Sequence, residues 1–374
     1  MDSFNLCIIK PNKDAFSETF VQEHINRLPG NKKVLWGGSF PLYDNEGRFL
    51  IRSKPGLLSY LFQKRVLKKK DIKVRTNALA KYLEEQKTDV VFAEYGTVGS
   101  MVTDACRIAN VPLVIHYHGA DVHHRKTVED YLPFYKKAFE YASAFIAVSK
   151  DMVNELIRLG APADKIHLAS CGVDVSKFPQ LDISKTAKEF LSIGRFVEKK
   201  SPASVVEAFK LVHEKHPDAR LTMVGQGPLF EDTRALIEKL NLQEVITLTG
   251  ILKTDQIKEL LARTRVFVQH SVTAKDGDKE GTPVTVLEAG ASGLAIVSTR
   301  HAGIKEAVID GETGYLVDEH DITGMAGYMI KFAEDINLAV EMGVKEAGYI
   351  RKNYDINDRI KTLTAILKQA IKEK

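Results

Sequence analysis

The strongest constraint on this chain is a rhythm. Short apolar runs of strand length alternate with helix-length stretches through residues 1–178, and the same pattern repeats through 179–374. Strands that alternate with helical segments build parallel sheets covered by helices on both faces. In the first series 6–9, 34–36, 90–94, 113–118, 145–149 and 166–170 read as strands. In the second, 190–193, 221–224, 246–249, 266–269, 295–298 and 315–317 do so. Helices are read between them at 75–85, 99–109, 151–159, 203–215, 229–240, 255–264 and 283–291. An early helix runs to about Leu28, with Ser17 as its N-cap.

At 374 residues the chain suits two domains. The polar stretch 178–188, with Pro179, is the expected linker. The predicted division is 1–180, 181–355 and an amphipathic C-terminal helix with a frayed tail over 356–374. The two domains are expected to be α/β, Rossmann-like and doubly wound, facing each other across a cleft. Ligands of such sheets lie beyond the carboxyl ends of the strands.

Cys7, Cys106 and Cys171 are distant from one another, with no CxxC pair, so neither a disulfide framework nor a zinc ribbon is expected. Met1 to Lys10 lack the apolar core of a signal peptide, and no run reaches membrane-span length. A cytoplasmic protein is the expectation. The net charge of +4 is uneven: residues 1–178 hold 26 basic against 20 acidic side chains. Residues 52–75 hold nine basic residues and one acid, Asp71, with apolar positions at helical spacing. Two readings fit that segment: a solvated basic helix face, or a peripheral contact with anionic lipid at the inner face of the cell membrane. No nucleic-acid reading module accompanies the charge, so nucleic acid is not an expected partner.

The strand ends carry the candidate chemistry. Glu280-Gly281-Thr282-Pro283 leads into a helix, and Glu288 lies inside it. Thr282 is expected as N-cap and Pro283 as the first helical residue, which leaves amides at the positive end of a dipole where phosphate binds. Two carboxylates beside a phosphate site make sense as acceptors of hydroxyl protons, which is the layout of a nucleotide sugar. An ordinary capped amphipathic helix is the plain alternative. Gly194-Arg195, with Lys200 five residues on, offers two cations for a diphosphate. Gly225 and Gly227 form a tight turn, lacking the third glycine of a dinucleotide fingerprint. Gly250-Ile251-Leu252 offers backbone contacts to a base. His118-Gly119-Ala120-Asp121 leaves His118 at the cleft. His116, His123 and His124 nearby raise a metal site, but their spacing matches no known ligand pattern, and no metal is expected. Asp276 and Asp278 read as solvated loop residues.

Together these residues resemble the retaining glycosyltransferases of family 4, with the GT-B fold. Glu280 and Glu288 match that family's E-x7-E motif. Gly172-Val173-Asp174, Gly194-Arg195 with Lys200, Gly225, Gly227, Gly250, 303–306 and 310–314 support it. Ser17-Glu18-Thr19-Phe20 and His118 to Asp121 are similar to a bacterial subgroup that builds exopolysaccharide, capsule or lipopolysaccharide. Departures are Lys10-Pro11-Asn12-Lys13-Asp14 where relatives carry a Gly-Gly loop, Cys171 for an asparagine and Lys305 for a proline.

The resemblance implies a hexosyltransferase that needs no metal or other cofactor and uses a UDP- or GDP-sugar donor. Its acceptor would be a glycan or a lipid-diphosphate-linked sugar. Glu280 would position the donor sugar and Glu288 the ribose. Arg195 and Lys200 would hold the diphosphate, helped by amides near Gly281 to Pro283. His118 would contact the transferred sugar and Asp121 would shape its loop. The C-terminal helix would return to the first domain. A sugar-nucleotide 2-epimerase and a non-catalytic nucleotide-sugar-binding protein are the rival readings.

Overall fold

The computed structural model describes residues 4–13 and 19–374. Ser17, the expected helix cap, and Glu18 lie outside the described residues. The chain divides into two compact units. One comprises Met1–Ala169 with Arg359–Lys374, the other Ser170–Asp358.

The first unit holds β1 (Asn5–Lys10), β2 (Asn31–Trp36), β3 (Val90–Glu94), β4 (Leu113–His116), β5 (Ala144–Ala147) and β6 (Ile166–Leu168). They form one parallel sheet in the order β2-β1-β3-β4-β5-β6. Every residue of β3, β4 and β5 is buried, as a parallel strand covered on both faces must be. The order reverses between β1 and β3, which is where such a sheet opens a crevice. β4 ends at His116, two residues earlier than the sequence suggests, because the chain turns at His118 into the short helix Ala120–His123.

The second unit holds β7 (Glu189–Ile193), β8 (Arg220–Val224), β9 (Ile246–Gly250), β10 (Val266–Val268), β11 (Ala295–Thr299) and β12 (Tyr315–Val317). Their order is β12-β11-β10-β7-β8-β9, again all parallel, with the switch between β7 and β10. This is the Rossmann order. Phe190, Phe209, Phe267, Ile296 and Phe332 are among its fully buried side chains.

The segment 178–188 is no slack linker. Phe178 and Ile183 are buried in the second unit's core. The first unit ends at Ala169 rather than at 180, because Val173 runs beside the 354–356 segment. The Val173 amide donates to the Tyr354 carbonyl at 2.9 Å, and the Ile356 amide donates to the Val173 carbonyl at 3.0 Å. The final helix, Ile356–Lys372, therefore begins in the second unit, while its residues from Arg359 onward belong to the first.

Candidate functional site

In the second unit the candidate residues gather at the switch point. Gly194, Arg195 and Lys200 line a pocket with Ser192, Val224 and Gln269, at the carboxyl ends of β7, β8 and β10. Arg195 is exposed. Lys200 ends a short 3-10 turn, Glu198–Lys200, that folds the chain back over the end of β7. Gly225 is required here: its φ is +139°, and a Cβ would overlap the Gly194 carbonyl oxygen. Gly227 is also close to the Phe196 carbonyl, whose oxygen lies 2.5 Å from where its Cβ would stand. Leu252 is half-buried against the core.

Glu280 sits in the loop before the helix Val284–Ala291 and is 7% exposed. Its Oε2 lies 3.3 Å from Lys200 Nζ. Burial pushes the Glu280 carboxyl up, but Lys200 and then Lys199 pull it down further, and the net value is below the ordinary one. Burial lowers the Lys200 ammonium, with Glu280 opposing that shift. Oε1 of Glu280 is buried and has no hydrogen-bond partner among the described residues. A buried carboxylate oxygen without a donor is costly and marks a place for one. Glu288 is the fifth residue of the helix, half-buried, with its carboxyl pushed by burial up to about 7.

Thr282 does not cap this helix. The cap position is taken by Pro283, without a side-chain cap bond, and the helix starts at Val284. The Thr282 hydroxyl instead accepts from the Cys171 amide at 3.3 Å, tying the Glu280 loop to the start of the unit. Asp278 is not simply solvated either: its carboxylate lies 3.0 Å from Lys199 Nζ. Asp276 accepts from the Asp278 amide at 2.9 Å.

In the first unit His118 is 8% exposed and follows β4. Its amide donates to Asp121 Oδ2 at 2.8 Å, and burial pushes the Asp121 carboxyl up to about 6. Its ring lies between Phe20 and Tyr95, with centroids at 4.5 and 4.8 Å. Tyr95, at φ +78°, turns the chain sharply from β3 into its following helix.

Beneath His118 lies a group that sequence reading did not assemble. Glu94, at the end of β3 and fully buried, meets three imidazoles: His24 Nδ1 at 2.6 Å, His118 Nε2 at 3.0 Å and His116 Nδ1 at 3.3 Å. Burial raises the Glu94 carboxyl, but the imidazoles outweigh it and hold it well below the usual range. Burial drives His116 down to about 3, so that ring is neutral. His24, Glu94 and His116 offer ligand-type atoms within 4.8 Å of one another. The 2.6 Å contact from His24 to Glu94 is a hydrogen bond. Two ligands of one tetrahedral zinc would stand about 3.3 Å apart. As it stands the cluster is a buried network of imidazoles around one carboxylate. His116 and the period-2 pairing with His118 were visible in sequence. Glu94 and His24 were not, since only the fold brings them near.

Each unit is doubly wound, and the second brings cations and a buried glutamate together at its switch point. The chain belongs to the glycosyl transferases group 1 family, whose description matches residues 175–363. The glycosyltransferase family 4 description matches residues 52–177, and the fold is GT-B. WcaL of Escherichia coli (strain K12), which carries the name of a colanic acid biosynthesis glycosyltransferase, is 31% identical over 252 residues, covering 66% of this chain and 62% of that protein. AmsK of Erwinia amylovora, an amylovoran biosynthesis glycosyltransferase, is 28% identical over 250 residues, covering 66% and 61%. The matched region thus spans less than two thirds of either relative. The crystal structure of Anabaena Alr3699/HepE in complex with UDP-glucose superposes with a TM-score of 0.77 at 16% identity, covering 98% of this chain and 99% of that one.

Proposed function

We propose that this chain is a retaining glycosyltransferase. It moves a hexose-type sugar from a UDP- or GDP-sugar to a glycan or lipid-diphosphate-linked acceptor, in the synthesis of cell-surface exopolysaccharide. The observation that carries the reading is the Oε1 of Glu280, buried and without a partner among the described residues, beside Lys200 at the strand-end pocket. A sugar hydroxyl would donate to it. The UDP-glucose held by HepE and the polysaccharide pathways named for WcaL and AmsK support this class of donor and acceptor.

The difficult step is breaking the bond between the anomeric carbon and the diphosphate oxygen. Negative charge grows on the departing phosphate while the sugar becomes oxocarbenium-like. Arg195 and Lys200 meet that charge where it develops, already oriented before reaction. The acceptor oxygen attacks from the face the diphosphate leaves, and its proton passes to the departing phosphate oxygen. Configuration at the anomeric carbon is retained, and no metal is needed because two cations serve the diphosphate. On the resemblance, Glu288 takes the ribose hydroxyls, the amides near Gly281 to Pro283 assist at phosphate, and His118 contacts the transferred sugar.

The acceptor side is read from the first unit. The helix Lys54–Arg65 and the turn after it expose Leu58, Phe62, Val66 and Leu67 at 70, 55, 63 and 47% among many lysines and arginines. No helix among the described residues is long and apolar enough to cross a membrane. An apolar row flanked by cations fits peripheral contact with an anionic bilayer, which presents a lipid-linked acceptor. Beside it lies a cavity of about 290 Å³ with Ile51, Val74 and Tyr82 on its walls and Arg52 and Lys81 at its rim.

The test is a thermal-shift screen of UDP- and GDP-hexoses, followed by NMR of the product made with a lipid-diphosphate glycan acceptor. A stabilising donor and a glycoside of retained configuration are expected. An epimer formed from donor alone would establish the isomerase instead. A donor bound and never consumed would establish a binding protein.

A further inference from the structure

The Glu280 loop is braced from two sides. On one side Lys199, adjacent to Lys200, places its Nζ 3.0 Å from Asp278 Oδ2 and donates to the Lys279 carbonyl at 3.0 Å. The Lys275 amide donates to Glu198 Oε1 at 3.0 Å. On the other side stand two residues to which no role has so far been given. His301 follows β11 and is 1% exposed; Glu319 follows β12.

The hydrogen bonds among them fix their chemistry. The Glu280 amide donates to His301 Nε2 at 3.1 Å. A backbone N–H can only donate, so Nε2 must be the bare, accepting nitrogen. The proton of the neutral ring then sits on Nδ1, which faces Glu319 Oε1 at 2.6 Å and donates to it. Glu319 is itself anchored, its Oε2 accepting from the Thr273 amide at 2.7 Å. A carboxylate that sets the tautomer of a histidine, which in turn fixes a working group, is a recurrent way to preorganise a site.

We propose that His301 and Glu319 are positioning residues for Glu280. Glu319 holds His301 as the Nδ1–H tautomer, and His301 holds the Glu280 backbone so that Oε1 faces the hydroxyls of the donor sugar. Neither residue touches the substrate. The proposal rests on the reading that Glu280 binds the donor sugar. It deepens that reading by naming what keeps the carboxylate in place.

The experiment measures, by calorimetry, the affinity of whichever UDP- or GDP-hexose stabilises the wild-type chain, and that of its parent nucleotide. The ratio of the two isolates the sugar contacts. Glu280→Ala, His301→Ala, His301→Gln and Glu319→Ala are compared with wild type. In His301→Ala the ratio is expected to fall about tenfold while nucleotide affinity stays within about twofold, since small misplacements of an oriented group cost this much or more. His301→Gln returns an accepting oxygen near the Nε2 position and should recover much of the ratio. A generally loosened fold would not be rescued in this way. An unchanged ratio in His301→Ala, with a reduced one in Glu280→Ala, overturns the positioning role and leaves the donor reading standing. Unchanged ratios in both variants overturn both, as does a wild-type chain that binds none of these donors. Should His301→Ala fail to fold, Glu319→Ala decides, because its side chain is 29% exposed and it reaches Glu280 through His301. A reduced ratio supports the relay and an unchanged one overturns it.

Discussion

Lys200 and Glu280 form an ion pair, Nζ to Oε2 at 3.3 Å, and the second oxygen of Glu280 is buried with no hydrogen-bond partner among the described residues. In the proposed function the pair ties the cation assigned to the leaving phosphate to the carboxylate assigned to the sugar. Lys200→Met keeps much of the side-chain volume and removes the charge. Glu280 then loses the strongest pull holding its carboxyl below the ordinary value, and its ionisation moves to higher pH. The acid limb of the residual pH–turnover profile should shift upward relative to wild type. An unmoved limb would mean that Lys200 does not set the charge of Glu280.

Glu94→Gln removes the anion around which His24, His116 and His118 converge. Breaking a buried pair by removing one partner costs about 3–5 kcal/mol. The first unit should lose roughly this much stability in urea titration. Metal analysis of the wild-type chain should find no stoichiometric zinc, and chelator should leave the melting midpoint unchanged. One zinc per chain, with a midpoint that falls on chelation, would make the cluster a metal centre.

Glu346, on the helix Ile336–Asn353, is fully buried against the helix that carries Glu288. A Cβ on Gly290 would lie 2.9 Å from its Oε1. Burial pushes its carboxyl from 4.5 up to about 8. The unfolded chain ionises this group first, while the folded chain still holds the proton. Stability is therefore lost as pH rises from about 4.5 towards 8. Glu346→Gln should melt above wild type at pH 8, by a margin on the order of a few kcal/mol, and match it near pH 4.5. Equal gaps at both ends would show that the carboxyl is not held neutral by the fold.

Gly225→Ala meets both a positive φ and the Gly194 carbonyl. Overpacking of this kind costs about 1–3 kcal/mol. The second unit should be destabilised by at least that much, with donor binding lost as the β7 and β8 ends separate. A variant as stable as wild type would contradict the close approach.

Much of this was legible in sequence. All twelve strands among the described residues overlap the apolar runs, most closely in β3, β4, β5, β10 and β11, which are buried throughout and largely apolar for that reason. Arg195 and Lys200 were read from a strand end and Glu280 from a helix start, and Lys200 and Glu280 do meet. What could not be read is contact across distant segments. His24 and Glu94 are seventy positions apart and meet only when β1, β3 and the first helix pack. His301 and Glu319 carried no sequence signal and meet only because β11 and β12 lie side by side. Thr282 has the composition of a cap, yet a tertiary hydrogen bond to Cys171 outcompetes that local role. Phe178 and Ile183 sit in a polar stretch that reads as linker, and only burial shows them as core.

The most direct test of the central claim is the turnover of Arg195→Ala and Lys200→Ala, measured as nucleoside diphosphate released from the identified donor in the presence of acceptor. Each variant is predicted to lose on the order of 10²-fold or more in turnover, since each removes a preorganised cation from the departing diphosphate. Near-normal turnover in both would contradict the placement of the donor at this site.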